Sequence, residues 1–167
     1  DAKDIFRNKI KYAYQQITQD QRELLEEIGY SLPVPVNDKD NGYVFSNGSS
    51  IKVSVSYRGG TLQSLHISEF GKICKKYPDK AKEIVTGAFE AVGINGSITI
   101  ESTAEGREGY FYEYSTEAKK IRDMGRKPSA LEFAFHFFSW WQRDEYELEG
   151  PVNVSLESYF DQLKAKH

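Results

Sequence analysis

The sequence lacks the marks of a secreted, membrane-spanning or broadly basic protein. Its single cysteine, Cys74, excludes an internal disulfide framework and fits a reducing cytosol. No apolar run approaches the roughly 20 residues that span a bilayer, and the charged start DAKDIFRNKIKYAY has no signal-peptide core. The formal net charge of −3 excludes a uniformly basic surface that would hold nucleic acid by neutralising its phosphates. We therefore expect a cytoplasmic protein in which any nucleic-acid contact is local.

The composition is that of a folded domain. The hydrophobic fraction of 39% and the aromatic fraction of 14% argue against disorder. A chain of 167 residues can bury one real core but is short for two, so we expect a single domain over residues 1–167. The chain begins without Met, in what reads as the interior of a helical unit, and we interpret it as part of a longer protein.

The opening of the chain has helical periodicity. Apolar residues recur at helical spacing from Ala2 to Ile17, and Thr18 is expected to cap a second helix that ends at Gly29. We therefore place a helical segment at residues 2–29. Pro33 and Pro35 predict an extended linker after it.

Strand patterns dominate the next part, which we place at residues 42–141. Asn47-Gly48, between YVFS and the alternating residues 51–57, predicts a hairpin in which this dipeptide supplies the positive φ angles of the turn. Strands separated by helices predict an α/β fold with a partly parallel sheet and helices on its faces. The further predicted strands are 64–67, 97–102 and 131–141, and the further predicted helices are Pro78–Val92 (closed by Gly93), Tyr110–Met124 and 155–166.

Polar residues follow two of these strands, at the edge where α/β sheets bind ligands. Ser68 and Glu69 lie at the end of LHIS, and Glu101, Ser102, Thr103 and Ala104 lie at the end of SITI. A carboxylate after a buried strand can polarise a water that attacks a phosphate, and neighbouring hydroxyls can sense that phosphate. The alternative is that Glu69 and Ser102 only cap the strands or the loops that follow, and spacing alone favours this alternative.

Several ordered segments together resemble the large subunit of tailed-phage terminases, the motor that packages DNA. They are FSNGSSI, YRGGTLQSLHISEFGKI, ITIESTAEGREGYFYE and EFAFHFFSWW followed by Tyr146. Each segment is common alone, whereas their order is specific, and the resemblance runs from about Phe6 to at least Tyr146. It implies the latter part of the ATPase domain, a partial P-loop NTPase-type fold of the additional-strand catalytic-glutamate class with three layers.

The resemblance implies roles for the residues at the strand ends. LHISE matches the Walker B strand, so that Glu69 corresponds to the catalytic glutamate, which orients the attacking water and accepts its proton. Ser68 stands where many motor ATPases have an aspartate that helps hold Mg²⁺, and a neutral hydroxyl attracts the metal less. Ser102, Thr103 and Ala104 match the coupling motif, whose hydrogen bonds differ between bound triphosphate and diphosphate.

Arg58 precedes the same strand in the loop YRGGT. It is similar in position to an arginine that in some terminases reaches the nucleotide of a neighbouring subunit, where a guanidinium neutralises charge on the transferring phosphoryl group. The alternative, a loop arginine paired with an acid, stays open.

No phosphate-binding loop occurs in the sequence. The pattern G-x-x-x-x-G-K-[ST] is absent, because Gly59-Gly60 lacks the following lysine and the loop from Gly106 to Gly109 is too short. We expect that loop upstream of Asp1 and the family's nuclease domain beyond His167. ATP and Mg²⁺ would then be cofactors of the full-length protein, and none is expected to bind this chain tightly.

The resemblance also implies partners for the intact motor. They are double-stranded DNA, the small terminase subunit, the portal protein and neighbouring large subunits. Self-association of the fragment through uncovered sheet surface is left open. The competing hypothesis is a non-catalytic prophage remnant or protein-interaction module, and the absent phosphate loop alone does not separate the two.

Other chemistry-bearing residues have simpler interpretations. The histidines and Cys74 have no metal-ligand spacing, and we expect His66 and His136 in strands or the core. The lysines of residues 72–82 could face DNA, but acids alternate with them as on a solvated helix face. Trp140 and Trp141 could stack on bases, but we expect them in a buried strand. The remaining residues in these groups are His167 and Lys72, Lys75, Lys76, Lys80 and Lys82.

Overall fold

The computed structural model describes residues 2–39, 41–57, 59–143, 145, 150 and 154–165. Its contacts divide the chain into two compact units, residues 1–113 and residues 114–167, and the division falls within one helix, Gly109–Asp123. Among these described residues no helix is both long enough and apolar enough to cross a membrane.

Along the described part of the chain, a helical start is followed by four strands, two helices, a fifth strand and two further helices. The helices are α1 (Ala2–Ile5), α2 (Tyr12–Gln15), α3 (Gln19–Glu27), α4 (Phe70–Lys76), α5 (Pro78–Glu83), α6 (Gly109–Asp123) and α7 (Val154–Lys164). The π-helical Phe6–Lys11 joins α1 to α2, and the π-helical Ile84–Ala88 continues α5. The strands are β1 (Pro35–Lys39), β2 (Gly42–Phe45), β3 (Ser50–Lys52), β4 (Leu62–Ile67) and β5 (Val92–Ile100). A short 3₁₀ turn covers Trp140–Gln142.

The first helical segment packs on an antiparallel sheet of order β1-β2-β3. Its core is aromatic: Phe6 is 1% exposed, and its ring meets the edge of the Tyr43 ring at 5.0 Å. Burial raises the pKa of Tyr43. At the rim Lys11 donates to Asp38, which raises the pKa of the lysine. The other members of this core are Phe45 and the partly buried Ile10, Tyr14 and Val53.

The predicted cap of the second helix is confirmed. The Thr18 hydroxyl accepts from the Gln21 amide at 3.3 Å, and the Gln21 side chain accepts from the Thr18 amide at 3.0 Å, which is a complete capping box. After the helix Gly29 takes a φ of +84°, a left-handed conformation that glycine adopts without strain.

The predicted hairpin is confirmed, but the predicted positive φ of Asn47 and the predicted length of the second strand were wrong. β2 and β3 pair with Tyr43 opposite Ile51, and the connection carries a positive φ at Gly48 but not at Asn47, whose side chain accepts from the Ser49 amide. β3 ends at Lys52 and not at residue 57, because β2 begins at Gly42, which lies opposite Lys52. The expected linker after Pro33 also forms β1, with Pro35 as its first residue, a position that needs no amide donor.

β4 and β5 form a two-stranded parallel sheet, in which Leu65 lies beside Ile98 and Ile67 beside Ile100. These apolar side chains are less exposed than their neighbours along the strand and share one face. The other face is polar, and the Ser97 hydroxyl donates to that of Ser64 at 3.2 Å. The predicted α/β class with a partly parallel sheet is confirmed to this extent.

The helix predicted over residues 78–92 was too long. α5 ends at Glu83, the π-helical turn ends at Ala88, and Val92 already pairs with Leu62 as the first residue of β5. Gly93 therefore lies inside the strand and does not close the helix. The periodicity of apolar residues does not reveal that the turn at Ile84–Ala88 is a wider π-helical turn with an inserted residue. It also does not reveal that the strand starts as early as Val92.

The second unit contains the later part of α6 and α7, which confirms both predicted helices, but not the predicted strand at 131–141. Phe133 and Phe135 instead pack on α6: the Phe133 ring lies 5.2 Å from the Tyr114 ring, and the Arg122 guanidinium lies 4.6 Å from the centre of the Phe135 ring. No described residue pairs with this segment as a neighbouring strand. Leu131 is 98% exposed and Phe138 86% exposed, so the expected burial was also wrong.

An ion pair fixes the start of that aromatic segment. The Arg126 guanidinium donates twice to Glu132, at 2.6 and 2.9 Å, and the Ser129 amide donates to the same carboxylate at 2.8 Å. These bonds, that of Arg126 first, lower the pKa of Glu132 to about 2.

Candidate active-site edge at the ends of two parallel strands

The carboxyl ends of β4 and β5 lie side by side and are joined through the backbone. The Glu101 amide donates to the Ile67 carbonyl at 3.1 Å, and the Phe70 amide donates back to the Glu101 carbonyl at 3.0 Å. Because the strands are parallel, Glu69 and Ser102, which follow them, emerge at the same edge of the sheet. The structure thus brings together two groups that the sequence placed 33 residues apart.

Glu69 has an unusual backbone conformation for its residue type. Its φ of 56° and ψ of 39° lie in the left-handed region, and no other described non-glycine residue has a positive φ. The conformation is held from both sides, since the preceding Ile67 and the following Phe70 are buried and hydrogen-bonded to the β5 end. The Glu69 side chain remains exposed, so its carboxylate is open to water or ligand. Such a conformation costs about 1–3 kcal/mol, and residues that adopt it cluster at functional sites.

Ser102 is the residue at this edge with an unused hydrogen-bonding group. Its Oγ is buried and has no hydrogen-bond partner among the described residues. A buried hydroxyl without a partner costs about 1–3 kcal/mol of desolvation, which makes it a candidate for a functional group that acquires a partner on binding.

Charged side chains surround the edge. His66 Nε2 lies 3.6 Å from Glu101 Oε1 on the polar face of the sheet, and both side chains are largely exposed. Lys75, on α4, lies 3.4 Å from Glu105, in the loop that follows Ser102. The two carboxylates closest to the edge along the chain, Glu69 and Glu101, are both exposed, so the edge is anionic and water-accessible.

The structure describes only some of the other predicted site residues. Ser68 lies in the turn after β4 and is exposed, and Thr103 and Ala104 are exposed beyond β5. Arg58 lies outside the described residues, as does Tyr146, so the structure places neither of them.

The residues with simpler predicted roles are only partly where we expected them. His66 lies in β4, but His136 is exposed and stacks on Phe138 at 6.5 Å outside any strand, which corrects its predicted place. Trp141 is 59% exposed, so its predicted burial was wrong, whereas the Trp140 side chain and His167 lie outside the described part. The lysines of α4 and α5 form an exposed face, as expected, apart from the half-buried Lys80.

Sequence reasoning missed α4, the helix that begins directly after Glu69. Its signal is present: Phe70, Ile73, Cys74 and Tyr77 recur at helical spacing before Pro78. The helix holds Glu69 in place, because Phe70 is 0% exposed and its ring packs 6.2 Å from that of Phe89.

Within the described ranges no group of three or more His, Cys, Asp or Glu side chains is arranged to hold a metal ion. The side chains at this edge include the exposed carboxylates of Glu69 and Glu101 and neighbouring hydroxyls, which can accept hydrogen bonds from a water.

Comparisons of the chain with protein-family models, with curated proteins and with solved structures found no match.

Proposed function

We propose that this chain is the latter part of the ATPase domain of a phage DNA-packaging motor subunit, with Glu69 as the general base. The observation that supports it best is that Glu69 and Ser102 follow the carboxyl ends of two paired parallel strands, and that the buried Ser102 hydroxyl has no hydrogen-bond partner among the described residues. A carboxylate on one strand end and a phosphate-sensing hydroxyl on the next is the arrangement that the resemblance to terminases implies. The finer fold that we propose is a partial three-layer P-loop NTPase-type sandwich.

In this proposal Glu69 orients a water and accepts its proton as the water attacks a phosphoryl group. The Glu69 carboxylate is exposed and therefore accessible to that water. The hydrogen bond of the Phe70 amide to Glu101 restricts the movement of the Glu69 backbone. ATP with Mg²⁺, held by a phosphate-binding loop from other sequence, would supply the phosphoryl group. Ser68 would touch the metal through water at most, because a hydroxyl carries no charge.

Ser102 has the second role. Once movement of the segment that contains Ser102 exposes the buried hydroxyl, it would bind a phosphate oxygen or a water without breaking a hydrogen bond to any described residue. Thr103 and Ala104 continue this segment, which would move when the phosphate leaves and so couple cleavage to DNA movement. Double-stranded DNA, the small terminase subunit, the portal protein and neighbouring large subunits are the proposed partners.

The test is Glu69→Gln in the ATP-hydrolysing polypeptide that carries this chain together with its phosphate loop. The amide keeps the size of the side chain but cannot accept the proton, so turnover should fall by about 10²–10⁴-fold while nucleotide binding is kept. Turnover and nucleotide affinity are measured on the same preparation.

Glu90→Gln is the matched control, because Glu90 is exposed and lies just before β5, at the opposite end of the strand from Ser102. It should leave both turnover and affinity unchanged. Equal turnover for the Glu69→Gln and wild-type proteins would remove Glu69 from the reaction and end the proposal.

A further inference from the structure

Gly71, in the first turn of α4, packs against residues 102–103, which we call the Ser102 segment, with little room for a side chain at position 71. A Cβ built on Gly71 would lie 2.9 Å from Ser102 Oγ, 3.0 Å from Phe111 Cδ1 and 3.2 Å from the Thr103 carbonyl oxygen. Real Cβ atoms essentially never lie within 3.0 Å of a neighbour, and the 3.2 Å distance to the Thr103 oxygen, which belongs to the backbone, is tighter than most Cβ contacts. A methyl group at Gly71 would therefore require the Ser102 side chain or the neighbouring backbone to shift.

We infer that Gly71 is a positioning residue, which sets Glu69 against the Ser102 segment and makes the two move together. The inference rests on the proposed function. It adds a packing contact between the first turn of α4, which follows Glu69, and the Ser102 segment. Gly71 lies two residues after Glu69, and the intervening Phe70 is fixed by its buried ring and its bond to Glu101. A displacement of the Ser102 segment is therefore passed to the first turn of α4 and to Glu69.

The unpartnered Ser102 hydroxyl explains why this contact can respond to a ligand. No hydrogen bond to a described residue holds the hydroxyl, and its Oγ lies 2.9 Å from the position that a Cβ on Gly71 would take. When the hydroxyl turns toward a phosphate oxygen, the space over Gly71 changes, and α4 can follow. The expected reciprocal effect is that crowding at Gly71 alters Ser102.

The first experiment uses the chain as it is, isotopically labelled, and compares amide resonances in Gly71→Ala and Gly87→Ala. Gly87 is the control because its helical turn has open space where the added methyl would lie. We expect Gly71→Ala to shift the amides of both Glu69 and Ser102, and Gly87→Ala to shift neither. On a Ser102→Ala background, which removes the nearest atom, the shift at Glu69 caused by Gly71→Ala should be smaller.

Ser102→Ala alone keeps the inference testable if Gly71→Ala does not fold. It removes a buried hydroxyl that lacks a partner, so the folded state should be kept or stabilised. It should nevertheless shift the Glu69 amide, because the contact over Gly71 is loosened. Glu69 resonances that stay unchanged in every folded variant would overturn the inference.

The second experiment measures nucleotide turnover in the ATP-hydrolysing polypeptide, per nucleotide-bound site, well below the melting temperature. A misplacement of a few tenths of an ångström should lower kcat by about tenfold in Gly71→Ala and leave KM for ATP unchanged, since Glu69 acts on water and not on binding. A merely structural effect would lower the number of competent sites but not turnover per site. Unchanged kcat per site would overturn the positioning role.

The two experiments separate this inference from the function on which it rests. If Glu69→Gln leaves turnover unchanged while Gly71→Ala shifts the Glu69 and Ser102 amides, the contact exists and the proposed function fails. If Glu69→Gln abolishes turnover while Gly71→Ala moves neither amide and leaves kcat unchanged, the function stands and the positioning role fails.

Discussion

Phe70→Ala tests whether one buried ring holds the whole edge in place. The ring is fully buried, contacts Phe89 and sits directly after Glu69. Removing roughly 200 Å² of buried aromatic surface at about 25 cal/mol/Å² gives an upper figure of about 5 kcal/mol. Measured Phe→Ala substitutions in cores cost about 3–5 kcal/mol, and we expect about 4 kcal/mol here because the ring has no exposed part.

Such a loss is a large part of the stability of a domain of this size, which is about 5–15 kcal/mol. The assay is urea denaturation followed through the amide resonances of β4 and β5, because both tryptophans lie in residues 114–167 and report the other unit. Ile94→Ala is the control in the same unit, since Ile94 is 100% exposed and should change stability by no more than about 0.5 kcal/mol. A cost below about 1 kcal/mol for Phe70→Ala would refute the packing that we assign to α4.

Other predictions concern the capping box, an ion pair and the undescribed arginine. Thr18→Ala should lower the stability measured by thermal denaturation by about 1 kcal/mol, because the Gln21 amide loses its acceptor, and an unchanged melting temperature would contradict the cap. Because Arg126 lowers the pKa of Glu132 from 4.5 to about 2, the carboxylate stabilises the fold above pH 4.5 and loses that effect as the pH falls toward 2. Glu132→Gln should therefore weaken this acid-dependent part of the stability curve, and identical curves from pH 2 to 6 would refute the assignment. Arg58→Ala subunits mixed with Glu69→Gln subunits should partly recover ATP turnover if Arg58 acts on a neighbouring nucleotide, and no recovery in a confirmed mixed assembly would argue against that role.

The parts of the fold with local causes could be predicted from the sequence. Thr18 and Gln21 have the spacing of a capping box, and LHI combines apolar character with a turn directly after it. The helix predicted at Tyr110–Met124, directly after the turn-rich AEGREG, is observed as α6. In each case neighbouring residues in sequence create the element, so a single chain reveals it.

The parts that depend on distant partners could not be predicted. The alternating aromatic pattern at Phe133 and Phe135 is typical of a strand. In the structure the two rings pack on α6 instead, and the backbone pairs with no strand among the described residues. β5 starts at Val92 because Leu62 pairs with it across 30 residues. The left-handed Glu69 and the close approach of Gly71 to Ser102 follow from α4 packing on the β5 end, which no local pattern reports.

The proposed function requires that the edge with Glu69 and Ser102 acts as the water-activating half of a nucleotide site and that other sequence supplies the phosphate-binding loop. Calorimetric titration of the purified chain with a non-hydrolysable ATP analogue and Mg²⁺ tests this most directly. Amides and lysine of a phosphate loop supply most of the attraction for a triphosphate, while Glu69 and Glu101 are anions that repel it. We predict no saturable heat up to about 1 mM nucleotide, which corresponds to a binding free energy weaker than about −4 kcal/mol. Micromolar binding would show that the chain holds a complete nucleotide site without a phosphate loop, and it would contradict this account.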